Sequence, residues 1–157
     1  MYDNEKSPLE MIKILPKDEF NKALIFINLG NELKCKANTR YAHANKYWRC
    51  VFSRKKPSRV LFTVECTEEW WRVKACLKNS DKYQDILIRC SEKIRNIIIN
   101  AHDCESSCDD NLKFTFEDKQ YQKCIGCGIY FSKLDKEDWN NLALLITKEH
   151  ESANTAV

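Results

Sequence analysis

The chain has 157 residues, of which 43% are hydrophobic and 31% charged, with three glycines and three prolines. That length and mixture exclude a disordered or low-complexity chain and predict a single domain over 1–157, able to bury about 70% of its unfolded surface. The 26 basic and 23 acidic residues leave a formal charge of only +3 and are mixed along most of the chain, so a global commitment to nucleic acid is excluded and only a local patch can argue for one.

In chain order, Ser7-Pro8-Leu9-Glu10 carries the marks of a helix start: a serine cap, proline at the first helical position, and a glutamate placed to return a bond to the cap. A second, longer helix follows Pro16, with Phe20, Leu24 and Ile27 at helical spacing and an expected end near Gly30, a residue able to take the left-handed closing conformation. From Tyr47 the period changes to two. Trp48, Cys50 and Phe52 share one face, then Val60, Phe62, Val64 and Cys66, then Trp71, Val73, Ala75 and Leu77, with turns at Arg54–Ser58 and at Glu68-Glu69. A three-stranded antiparallel meander follows from that alternation.

Asn79-Ser80-Asp81 offers caps for a long central helix in which Tyr83, Leu87, Cys90, Ile94, Ile97, Ile98 and Ala101 form one stripe. Burying this stripe against the apolar sheet face would be the main stabilising event, at roughly 25 cal/mol per Å². A C-terminal hairpin is expected around Glu117-Asp118-Lys119, a further strand at Ile129-Tyr130-Phe131, and a last helix capped by Asp135 with Trp139, Leu142, Leu145 and Ile146 inward. The fold class is therefore α+β: a meander plus a hairpin packed on a long helix, with helices at both ends and fraying at 1–6 and 152–157.

The segment Trp48 to Lys56 with its Phe52-Ser53-Arg54-Lys55-Lys56 end, the aromatic-bounded strand Trp70 to Lys78, and the Asp138-Trp139 helix resemble a family of small bacterial proteins known as a domain of unknown function. The likeness covers roughly residues 40 to 148. It implies a fold of helices on an antiparallel sheet and no particular activity; the cysteine cluster departs from the family's pattern. Function must then be read from sites.

The densest chemistry lies in His102, Cys104 and Cys108, followed by Cys124-Ile125-Gly126-Cys127-Gly128. Cys124 and Cys127 have the spacing of a knuckle that grips one ion, and Cys104 and Cys108, four apart, would share the face of a helical turn. The set predicts a closed, structural four-thiolate zinc site, with His102 as a substitute ligand, stapling the hairpin to the end of the long helix. Unliganded thiols and a redox dithiol are the competing readings; Gly126 and Gly128 predict a turn between strands, where no helix terminus would activate a thiol.

Two further sets carry chemistry. Trp48, Phe52, Phe62 and Trp71 would line a ligand pocket or fill a core. Arg49, Arg59, Trp70, Arg72 and Lys74 would share the outer face of the meander, where aromatics among cations invite stacking and phosphate contact. The low net charge places a protein or a small molecule ahead of nucleic acid as partner. The start of the chain, which alternates charged and apolar residues, and the absence of any bilayer-length apolar run predict no export signal and no membrane span. With an odd cysteine count, reduced thiols in a cytoplasm are the simpler expectation. These features describe a binding or interaction module with structural zinc; a sensing or enzymatic pocket between sheet and helices is the alternative.

Overall fold

A computed structural model describes residues 6–56, 58–102, 112–116, 118–123 and 128–154. The fold is α+β. It divides into two compact units, Met1–Lys74 and Ala75–Val157, and each is described by itself.

In the first unit, helix α1 (Pro8–Ile12) begins with the expected capping box: the Ser7 hydroxyl accepts from the Glu10 N–H at 3.1 Å, and the Glu10 carboxylate accepts from the Ser7 N–H at 3.4 Å. Helix α2 spans Lys17–Glu32. It does not end at Gly30. Its last turn closes two residues later in a Schellman motif, in which the Cys35 N–H donates to the Gly30 carbonyl at 2.9 Å and the Lys34 N–H to the Asn31 carbonyl at 3.1 Å. The left-handed residue of that motif is Lys34, at φ 54°. Gly30 has a different task. A Cβ there would lie 2.3 Å from ring carbons of Phe52, so glycine lets the helix backbone rest directly on the sheet.

Four strands follow: β1 (Lys36–Ala42), β2 (Tyr47–Lys55), β3 (Ser58–Cys66) and β4 (Trp71–Ala75). The larger sheet has five strands, and these four stand in it in the order β1-β2-β3-β4. The expected meander is thus present and one strand longer. β1 opposes β2 antiparallel from Lys36↔Ser53 to Ala42↔Tyr47, and β2 opposes β3 from Trp48↔Cys66 to Lys55↔Ser58, with a register shift at Phe52/Ser53. β1 lies at the sheet edge and is largely exposed. Its sequence shows no alternation, since neither face of an edge strand like this has to be apolar.

The face bearing Cys50, Phe52, Phe62, Val64 and Cys66 is buried. α2 covers it: Phe52 and Phe62 stack at 4.6 Å, Phe26 packs on Phe62 and on Trp71 at 6.2 Å each, and the Trp71 indole N–H donates to Glu19 at 2.5 Å. That bond holds the Glu19 carboxyl below the usual carboxylate range. The turn between β3 and β4 falls at Glu68-Glu69 as expected, where the Thr67 hydroxyl accepts from the Glu69 and Trp70 N–H groups.

In the second unit the expected long helix is three pieces: a 3-10 turn (Ser80–Tyr83), α3 (Gln84–Arg89) and α4 (Glu92–Ile99). Cys90 and Ser91 take extended backbone, and the Ser91 hydroxyl caps α4 by accepting from the Ile94 N–H at 3.3 Å. The apolar stripe stays in phase across this break, with Tyr83, Leu87, Cys90, Ile94 and Ile98 all buried. The expected hairpin is present as β5 (Leu112–Phe116) and β6 (Lys119–Lys123), which form their own two-stranded sheet with Asp118 at φ 65° in the turn. β7 (Ile129–Phe131) and α5 (Lys136–Asn154) complete the unit. The Asp135 side chain caps α5 through the Asp138 N–H at 2.8 Å, and Trp139, Leu142, Leu145 and Ile146 are fully buried. α5 continues through Asn154, past the expected fraying point. It is tied by Glu149, a buried carboxylate that accepts from the Asn79 backbone and side chain and from the Tyr83 hydroxyl at 2.9–3.1 Å. Burial and this carboxylate push the Tyr83 phenol well above its ordinary value.

The seat of α2 yields a direct test. Alanine at position 30 gains about 1 kcal/mol of helix propensity but overfills the contact with Phe52, a cost of about 1–3 kcal/mol. Gly30→Ala is therefore expected to lower stability in urea unfolding, and Gly30→Ala combined with Phe52→Leu to recover part of the loss.

Candidate functional site

The end of the meander where the β1–β2 and β3–β4 turns lie brings Tyr47, Trp48 and Trp70 together with Arg49 and Arg72. Its anchor is Glu65 on β3, only 2% exposed. A buried carboxylate needs partners for its charge, and here two cations arrive from the neighbouring strands: Arg72 Nε at 2.6 Å and Arg49 Nε at 3.8 Å. Alternation puts all three side chains on one face, because Arg49 stands opposite Glu65 in the register.

Held this way, the Arg72 guanidinium lies 5.1 Å from the Trp70 ring centre and 5.6 Å from that of Tyr47, while Arg49 lies 5.8 Å from Tyr47. The two rings meet edge to face at 5.6 Å. The Tyr47 hydroxyl accepts from Arg49 at 3.3 Å and from Asn45 at 3.5 Å. Arg49 and Arg72 remain 30% and 33% exposed, and Trp70 37%. The cluster is rigid from below and open above.

Around the end of the strands lies an open cleft of about 510 Å³, with Lys6, Tyr41, Lys46, Trp48, Glu68 and Trp70 among its lining residues. Trp48 meets Tyr41 edge to face at 5.3 Å and carries the Lys6 ammonium 4.7 Å above its ring. Lys6, expected to fray, is thus seated on the sheet. Lys46 takes a left-handed conformation, φ 59°, where the chain turns from β1 into β2.

The structure brings Arg49, Trp70 and Arg72 together as expected for the outer face. Arg59 stands opposite Arg54 at the far end of the β2–β3 pair, outside the cluster, and Lys74 lies two residues beyond Arg72 on β4. Of the four residues expected to line a pocket, Phe52, Phe62 and Trp71 are buried side chains in ring contact, and Trp48 alone lines the cleft. Sequence reasoning missed Glu65 and Arg40. The signal for Glu65 was a carboxylate in phase with Arg49 and Arg72 on neighbouring strands; Arg40 went unnoticed because its strand did.

Cys104, Cys108, Cys124 and Cys127 lie outside the described residues; His102 is described and exposed. Among the described residues no group of three or more His, Cys, Asp and Glu side chains stands close enough to hold a metal, and no helix is long and apolar enough to cross a membrane. Four of the described thiols are poor nucleophiles. Burial pushes Cys50 up to about 11, Cys66 to about 12 and Cys90 to about 11, and raises the half-buried Cys35 as well.

No protein family, no curated protein and no solved structure matches the chain.

The thiol shifts set an alkaline limit. Each buried thiol stays neutral in the fold while its unfolded counterpart ionises from the ordinary value of 9.0, so the stability linked to Cys50 and Cys66 is complete below pH 9 and is lost as pH rises through about 11 to 12. Unfolding monitored against pH is expected to show this decline, steeper in the native sequence than in a Cys50→Ala/Cys66→Ala variant. In native alkylation mapped by mass spectrometry, Cys35 is expected to react ahead of Cys50 and Cys66.

Proposed function

We propose that the protein is a binding module of the cytoplasm, with its recognition surface at the Trp70 end of the meander and a structural zinc in its second unit. The observation that carries the first part is the Glu65 anchor. A buried carboxylate fixes two arginines against the faces of Tyr47 and Trp70 and leaves all but Tyr47 about one-third exposed. Fixing side chains before a partner arrives lowers the entropy lost on binding, and exposed Trp, Tyr and Arg are the residue types that concentrate binding energy. The neighbouring cleft favours a second reading, a small molecule seated on Trp48 and Trp70.

Support for the zinc comes from the chain on either side of its four cysteines. Lys123, at the end of β6, donates from Nζ to the Ala101 carbonyl at 3.1 Å. Position 101 is three residues before Cys104, and position 123 immediately precedes Cys124. This contact between Ala101 and Lys123 is compatible with a single four-thiolate site and supports that reading.

Two measurements test these parts separately. Protein purified without added metal is expected to carry about one zinc per chain, lost in Cys124→Ser or Cys127→Ser; a metal-free, fully folded protein with four freely titrating thiols in this region contradicts the site. For the recognition surface, NMR titration with a panel of aromatic anions and short peptides is expected to shift the Trp70 indole resonance together with backbone amides of β2 and β4, and Trp70→Ala to abolish the amide shifts. Shifts centred away from β2 and β4 would count against it.

A further inference from the structure

The charge of the chain is not evenly mixed where the first unit needs it to be. Between Glu32 and Glu65 stand five lysines and four arginines with no aspartate or glutamate among them. This acid-free stretch makes up β1, β2 and most of β3. Its placement adds a second anomaly. Arg40 on β1 stands directly opposite Arg49 on β2, and like charges facing each other across strands destabilise a sheet. Arg49 shares Glu65 with Arg72, which holds the shorter contact, so the row Arg40, Arg49, Glu65, Arg72 carries three cations and one anion. Arg40 and Lys36 are exposed on the same face.

We infer that this face is a seat for single-stranded nucleic acid, with phosphates on Lys36, Arg40 and Arg49 and a base stacked on the exposed side of Trp70. The inference rests on the binding-module reading and names its partner. A repulsive arginine pair kept on an exposed edge is what an anionic ligand relieves, and an exposed indole beside it accepts any base by its face. Glu68 and Glu69, exposed on the rim of the cleft, repel phosphate and keep the backbone on the arginine row. Whole-chain charge hid this surface, because the compensating acids lie elsewhere in the sequence.

The test uses the full chain and a fluorescein-labelled twelve-nucleotide oligothymidylate, followed by anisotropy. Binding is expected at 50 mM salt and to weaken with salt, with a log–log slope of about −0.7 for each phosphate neutralised. Arg40→Glu is expected to weaken binding about tenfold and to flatten the slope, yet to raise the thermal midpoint by ~2 °C by relieving the pair with Arg49. A merely structural role for Arg40 cannot give those opposite signs. Trp70→Ala is expected to cost about tenfold or more. No binding at 50 mM salt, or binding indifferent to both substitutions, overturns the inference. If a twelve-residue polyglutamate binds instead and depends on Trp70, nucleic acid is wrong and the binding-module reading stands; silence of both probes overturns the nucleic-acid inference and leaves the binding-module reading to the NMR titration.

Discussion

Gly30 resting on the Phe52 ring is the contact on which the first unit depends. Because no Cβ intervenes, the backbone of α2 comes down onto the sheet, and everything carried by that helix arrives at a fixed height. Phe26 then reaches both Phe62 and Trp71, and Glu19 reaches the Trp71 indole. With Trp71 clamped from one face, its neighbours Trp70 and Arg72 must emerge on the other, where Glu65 receives Arg72. The strand that carries the candidate site is thus set from behind by helix packing, and Glu65 fixes its arginines on the opposite face.

Much of this was legible where the controlling chemistry is local. The capping box at Ser7, the Asp135 cap and the turn at Glu68-Glu69 are each decided within four residues, and the sequence alone locates them. The alternation of β2 and β4 likewise assigned Arg49, Trp70 and Arg72 to one face. What escaped is decided at a distance. Gly30 reads as a helix stop in its own neighbourhood, and only Phe52, twenty-two residues away, reveals it as a contact point. The break at Cys90-Ser91 was masked by an apolar stripe that stays in phase through it, although Ser91 is a good capping residue. β1 has no apolar face to betray it, and with that strand the Arg40–Arg49 pair went unseen.

The two units show opposite uses of a buried carboxylate. Glu149 accepts from neutral donors, the Asn79 amides and the Tyr83 hydroxyl, and serves to tie the end of α5 to the turn that opens the second unit. Glu65 is enclosed by guanidinium groups that keep a third of their own surface in water. The first arrangement completes a closed structure; the second leaves directed charge at the surface, where a partner can use it.

Lys34 and Lys46 bracket β1, and both hold the left-handed backbone that glycine adopts without cost. Each therefore carries about 1 kcal/mol of conformational strain that a glycine would remove. Selection for stability alone would erase both cations, and with them the charge at either end of the exposed strand. Durability and electric field are thus set against each other at these two corners, so that a variant relaxed at both with glycine would gain stability and lose positive charge along β1.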